Sequence, residues 1–193
     1  MNNKSRHFEF LRLIIILTLL ASCSKGQTKT ENKDLSKTEE TKQTEPKFDI
    51  EFPKTEYKVE ITETTDPGLG VSITNMILQG KDKNGPFMYF VAYNAVPNNL
   101  KEIIKTDPNS LNIAFQAMLT SSATKLGGTN FIFSEIKYKN YNGMESICKV
   151  FDGEGIIKSR VYMVDGNIIM TSAGGKNIDI EVVNKFLNSF RIK

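Results

Sequence analysis

Cys23 and Cys148 are the two thiols of this 193-residue chain, and His7 is its one imidazole. Cys23 ends the run Leu20-Ala21-Ser22-Cys23, directly after a short apolar stretch. Cys148 lies in Glu145-Ser146-Ile147-Cys148-Lys149-Val150-Phe151, where Ser146, Cys148 and Val150 share one side of a strand. A lone cysteine there reads as a small apolar filler, with no histidine beside it to lower its pKa. His7 stands upstream of the apolar stretch and leaves with it if that stretch is a leader. The remaining chain then lacks an imidazole base or ligand, which excludes Ser-His-Asp and Cys-His catalysis. We expect no enzyme, no metal site and no cofactor. Asp152, Glu154, Asp165 and Asp179 lie near turns, but without the spacing of a calcium loop.

Two weaker candidates remain. Ser172-Ala173-Gly174-Gly175-Lys176-Asn177 reads as a strand-to-helix loop. Backbone N–H groups of Gly174 and Gly175 at a helix start could hold an anion, with Lys176 adding charge. Arg160 and Tyr162 alternate with Lys158 along Ile157-Lys158-Ser159-Arg160-Val161-Tyr162 and could line a polar groove for a ligand. The plainer reading of both is loop chemistry and a solvated strand side.

Upstream of Cys23, Lys4, Arg6 and Arg12 form a basic region, followed by the apolar run Leu13–Leu20. That order is the signature of a secretory signal, whose apolar core spans about 7–15 residues. The run is too short for a spanning helix, which needs about 20 apolar residues. Leu20-Ala21-Ser22-Cys23 resembles the lipobox of bacterial lipoproteins. The resemblance implies cleavage between Ser22 and Cys23, diacylglycerol on the Cys23 sulfur and an acyl group, such as palmitate, on its new amine. Several acyl chains give stable anchoring where one gives only marginal binding. The protein is therefore expected outside the cytoplasm, on the cell membrane or the outer membrane. Ser24 in place of Asp favours the outer membrane in a Gram-negative host.

Residues 24–47 are rich in Lys, Thr and Glu, and Leu35 is their only large apolar side chain. Such a segment cannot bury enough surface to offset its ordering entropy, so residues 23–47 read as a lipidated cysteine and a disordered tether. A chain of this length reaches roughly 27 Å. Loss of residues 1–22 removes Lys4, Arg6, Arg12 and Glu9, leaving the mature chain nearly neutral. With no basic stripe, no nucleic-acid partner is expected.

Residues 48–193 suffice for one domain with its own core. Strand patterns occur at Phe48–Phe52, Tyr57–Glu63, Val71–Gln79 and Phe87–Val96. Asp107-Pro108 resembles a helix start, and Leu111, Ala114/Phe115, Met118/Leu119, Ser122/Ala123 and Leu126 keep helical spacing up to Gly127-Gly128. Strands return at Phe131–Lys139, Met144–Phe151, Ile156–Val164 and Asn167–Ser172. Lys81-Asp82-Lys83-Asn84-Gly85 reads as a hairpin loop with an Asn-Gly turn signal, and Asn142-Gly143, Asp152-Gly153 and Asp165-Gly166 read as hairpin turns between strands. Ile180, Val183, Phe186/Leu187 and Phe190 form a closing amphipathic helix with Asp179 at its start. The expected class is α+β, a mainly antiparallel sheet flanked by amphipathic helices.

This order resembles the α/β/α sandwich of the PsbP-like superfamily. The likeness rests on Phe48–Pro53, on Asn142-Gly143-Met144-Glu145, on Ser159-Arg160-Val161-Tyr162 and on Phe186-Leu187-Asn188-Ser189-Phe190. It implies a fold and no activity. The expected function is a non-enzymatic binding or accessory module of the bacterial envelope, contacting an envelope protein. The alternative is a carrier or sensor of a small apolar ligand or lipid. An enzyme working through a carboxylate pair ranks last, since no such pair stands out.

Overall fold

A computed structural model describes residues 47–66, 71–107 and 109–193. The leader, Cys23 and nearly all of the tether lie outside the described residues.

The chain forms β1 (Phe48–Asp49), β2 (Glu60–Asp66), β3 (Val71–Asp82) and β4 (Gly85–Ala95), then α1 (Asn98–Thr106) and α2 (Asn109–Thr124). Next come β5 (Thr129–Tyr138), β6 (Tyr141–Val150), β7 (Gly155–Val164), β8 (Asn167–Lys176), α3 (Ile180–Ser189) and β9 (Arg191–Ile192). Seven strands make one antiparallel sheet in the order β2-β3-β4-β8-β7-β6-β5, and β1 pairs separately with β9. The α+β class and the mainly antiparallel sheet are as expected from sequence.

Hairpin connections set the sheet order within each half, and β8 joins the halves by pairing with both β4 and β7. Side chains alternate faces along a strand, and the helices divide accordingly. Val161 of β7 and Ile168 of β8 pack with Leu100 of α1 and with Leu111, Phe115 and Leu119 of α2. Their neighbours Tyr162 and Ile169 pack on the opposite face with Val183, Phe186 and Leu187 of α3. Each of these fully buried apolar side chains contributes roughly 1.5–3 kcal/mol. Phe186 gathers the α3 side, its ring 5.2 Å from that of Tyr89 and 5.3 Å from that of Phe52.

Several sequence expectations need correction. Residues 97–106 carried no expected element, yet form α1, whose Leu100 is buried and whose Ile104 joins the same cluster. The first strand is only two residues long. Ile61 points outward, 66% exposed, because β2 is an edge strand that no helix covers. The hairpin loop expected at Lys81–Gly85 is present but tighter, a turn at Lys83–Asn84 held by Asp82 Oδ1, which accepts from the N–H groups of Asn84 and Gly85. Asn142-Gly143 is not a turn: it lies within β6, opposite Lys137 and Ile136. Gly143 is needed there because a Cβ would collide with the Tyr162 ring. Ser172–Lys176 is likewise strand, not loop.

Candidate functional site

Arg160 and Tyr162 occupy the α3 side of β7. Arg160 Nε donates to Glu145 Oε2 at 2.7 Å, and its Nη1 donates to Asn188 Oδ1 at 2.9 Å. Lys158 Nζ reaches the other Glu145 oxygen at 3.0 Å and donates to Asn184. These groups clip α3 to the sheet. Tyr162 is buried, its ring stacked on Phe190 at 5.6 Å. Burial pushes its phenol above the usual tyrosine value, with the Arg160 charge partly offsetting. Neither residue is among those that line the groove described below.

Gly174 and Gly175 lie in the central strand. Gly174 pairs in register with Met88 and Ile157, and Gly175 with Phe87 and Ile156. Strand pairing on both sides occupies the backbone that a helix-start anion cradle would need, so the expected cradle does not form. The α3 start is capped instead by Asp179, whose Oδ1 accepts from Glu181 N at 2.8 Å. Lys176 pairs with Glu154 at 2.5 Å. In register, Ile156 faces Gly175, so Arg160 stands four residues away along β7, roughly 13 Å. The structure therefore does not unite the Gly-Gly-Lys segment with Arg160 and Tyr162.

What Gly174 and Gly175 do line is an apolar groove of about 200 Å³. Pro86, Phe87 and Met88 of β4 form one wall, and Leu126, Val150 and Phe151 the other. The wall at Phe151 is built from unusual backbone. Phe151, Asp152 and Gly153 have φ of 51°, 54° and 93°, three successive residues in the left-handed region. For a bulky L-residue this conformation costs about 1–2 kcal/mol. It leaves Phe151 42% exposed beside Leu126, which is 47% exposed. Gly155 makes the room, since a Cβ there would lie 2.7 Å from Phe151 Cδ2.

Lys81 and Lys125 flank the groove. Lys81 is the register partner of the lining residue Pro86, and Lys125 precedes Leu126. Neither enters an ion pair among the described residues. Partial desolvation holds the Lys125 ammonium below the usual lysine value.

Cys148 is buried beside Ala123, Val150 and Ile157, and burial raises its thiol pKa. Among the described residues no three His, Cys, Asp or Glu side chains gather as a metal-ligand group. The groove is not legible in the sequence because six separate stretches of chain build it. The one available signal was Phe151 directly before Asp152-Gly153, an aromatic residue at a turn.

No protein-family model matches the chain, no curated protein matches it in sequence, and no solved structure matches it.

Proposed function

We propose that this chain is a bacterial lipoprotein whose PsbP-like domain serves as a non-enzymatic binding or accessory module of the cell envelope. Cys23 carries the lipid, residues 24–47 form the tether, and the anchor holds the domain at the cell membrane or outer membrane. Two sheet faces, each with its own helix layer, and the Glu145–Arg160–Asn188 link support the PsbP-like reading.

The observation that carries the binding reading is the position of the groove relative to the chain's entry. Lys47 O accepts from Lys193 N, and Phe48 packs on Tyr93. Phe87, at the groove, lies six residues back along β4, roughly 20 Å from Tyr93. The groove thus sits at the end of β4 remote from Lys47, where the expected tether joins, which supports its being open to other envelope components.

In-cell crosslinking of a tagged copy tests this. One abundant envelope protein is expected with the native chain and not with Cys23→Ala, which also leaves the membrane fraction. Capture no different from the Cys23→Ala copy counts against the module. The apolar lining favours the second reading, a carrier of a small apolar molecule. Its volume weighs against that, since ligand pockets span about 300–1,000 Å³. Mass spectrometry of an organic extract of the purified protein separates the two.

A further inference from the structure

We infer that the groove floored by Gly174 and Gly175 is a receptor for one large apolar side chain of a protein partner, presented on a segment with acidic neighbours. This rests on the binding-module reading above and names the partner's chemistry.

Size sets the first limit. At about 200 Å³ the groove is close to the 150 Å³ cavity that accommodates a benzene ring. One leucine, methionine or phenylalanine side chain fills it; a long acyl chain does not fit. Side chains of that kind, seated in a pocket and ringed by less critical contacts, carry most of the energy at protein interfaces.

The second argument is strain. Phe151 is held at a φ of 51° and remains half-exposed, so its unfavourable conformation is not explained by core burial. Strain of this kind gathers at binding and catalytic sites, where the surrounding structure maintains it. Here it stands Phe151 at the rim, opposite Met88. Leu126 adds a second exposed apolar edge from just beyond α2.

Charge sets the third limit. Lys81 and Lys125 adjoin lining residues, Pro86 in register and Leu126 in sequence, and the one acid placed likewise, Asp152 after Phe151, leaves the cations in excess; none of the three enters an ion pair among the described residues. By contrast Lys176, on the adjoining end of β8, is paired with Glu154. Two unneutralised ammonium groups beside an apolar slot complement carboxylates next to the inserted side chain. The chain enters the domain at Lys47, on the opposite pole, so the expected tether does not start beside this groove.

The test uses the full-length lipidated chain with a photoreactive residue at Gln79, in the groove, and at Ile61 or Ile113 as exposed controls. Crosslinked peptides are mapped by mass spectrometry. The expected peptide, captured from Gln79 only, carries a Leu, Met or Phe with Asp or Glu nearby. Leu126→Asp should lower that capture at least about tenfold. Phe151→Gly should lower it similarly while thermal stability is kept or raised, because glycine relieves the positive φ. Lys81→Gln with Lys125→Gln should weaken capture and remove its salt dependence.

Capture from Gln79 that survives both Leu126→Asp and Phe151→Gly overturns the inference. So does a lipid in place of a peptide. Capture only from Ile61 or Ile113 overturns the groove assignment while leaving the binding module standing. No protein captured from any of the three positions overturns both.

Discussion

Ser159 and Ser172 are register partners on β7 and β8 and hydrogen-bond to each other at 2.8 Å, both buried on the face that carries α1 and α2. Neither hydroxyl reaches bulk water, so each depends on the other. Ser159→Ala removes the acceptor and leaves the Ser172 hydroxyl unmet, at a cost of about 1–3 kcal/mol. The double change to Ala leaves no orphan group. Urea unfolding should therefore show a double mutant no less stable than the worse single mutant. Strict additivity would mean that the pair does not act as a pair.

Glu145 sits between two cations, Lys158 at 3.0 Å and Arg160 at 2.7 Å, and all three side chains are about one-fifth exposed. Lys105–Glu102 is also close, at 2.7 Å, but both of its side chains are 69% exposed. Water and salt screen the exposed pair far more than the half-buried triad. Glu145→Gln keeps the shape and strands two cations beneath α3, a cost of about 1–3 kcal/mol. Glu102→Gln should change stability by less than about 0.5 kcal/mol. Equal urea midpoints for the two variants would refute the distinction.

Buried phenols set an alkaline limit. Burial raises the pKa of Tyr162 and, together with the Asp82 charge, that of Tyr89. In the unfolded chain both phenols ionise near pH 10. Below that pH both states hold the proton and this contribution to stability is complete. Above it the unfolded chain releases the proton first, so stability falls as pH rises toward the folded-state values. The slope is at most about 1.4 kcal/mol per pH unit for each phenol. Tyr162→Phe should flatten the stability curve above pH 10 and leave its shape near neutrality unchanged. An unaltered alkaline slope would show that Tyr162 ionises equally well in the fold.

Periodicity made most of the fold legible, and the exceptions have physical causes. Leu111, Phe115 and Leu119 announced α2 because one helix face is buried continuously. Leu100, Ile103 and Ile104 have the same spacing in α1, but over nine residues, with Asn98 and Asn99 at the front. So short a segment is stabilised by packing more than by propensity. Asn142-Gly143 and Gly174-Gly175 misled because glycine marks both turns and close approaches. Which use applies depends on the neighbouring strand, here Tyr162 over Gly143 and Ile156 beside Gly174. The same limit hid the groove: Met88, Leu126, Phe151 and Gly174 meet only once β4, the segment after α2, the turn after β6 and β8 are assembled.

Gly174 offers the sharpest test of that assembly. A Cβ at this position would collide with the carbonyl oxygen of Ile156 and lie 2.7 Å from Ile157 Cγ1. Ile156 belongs to a paired central strand and cannot retreat without breaking its ladder to β8. Gly174→Ala should thus cost about 2–4 kcal/mol through overpacking. Gly153→Ala meets nothing within 4 Å and pays only for its φ of 93°, about 1–2 kcal/mol. The two costs differ in origin, so they should differ in kind. Gly174→Ala should raise amide exchange along β7 and β8, whereas Gly153→Ala should confine its effect to the Phe151–Gly153 turn. Exchange limited to the turn in both variants would show that β8 does not need glycine at position 174.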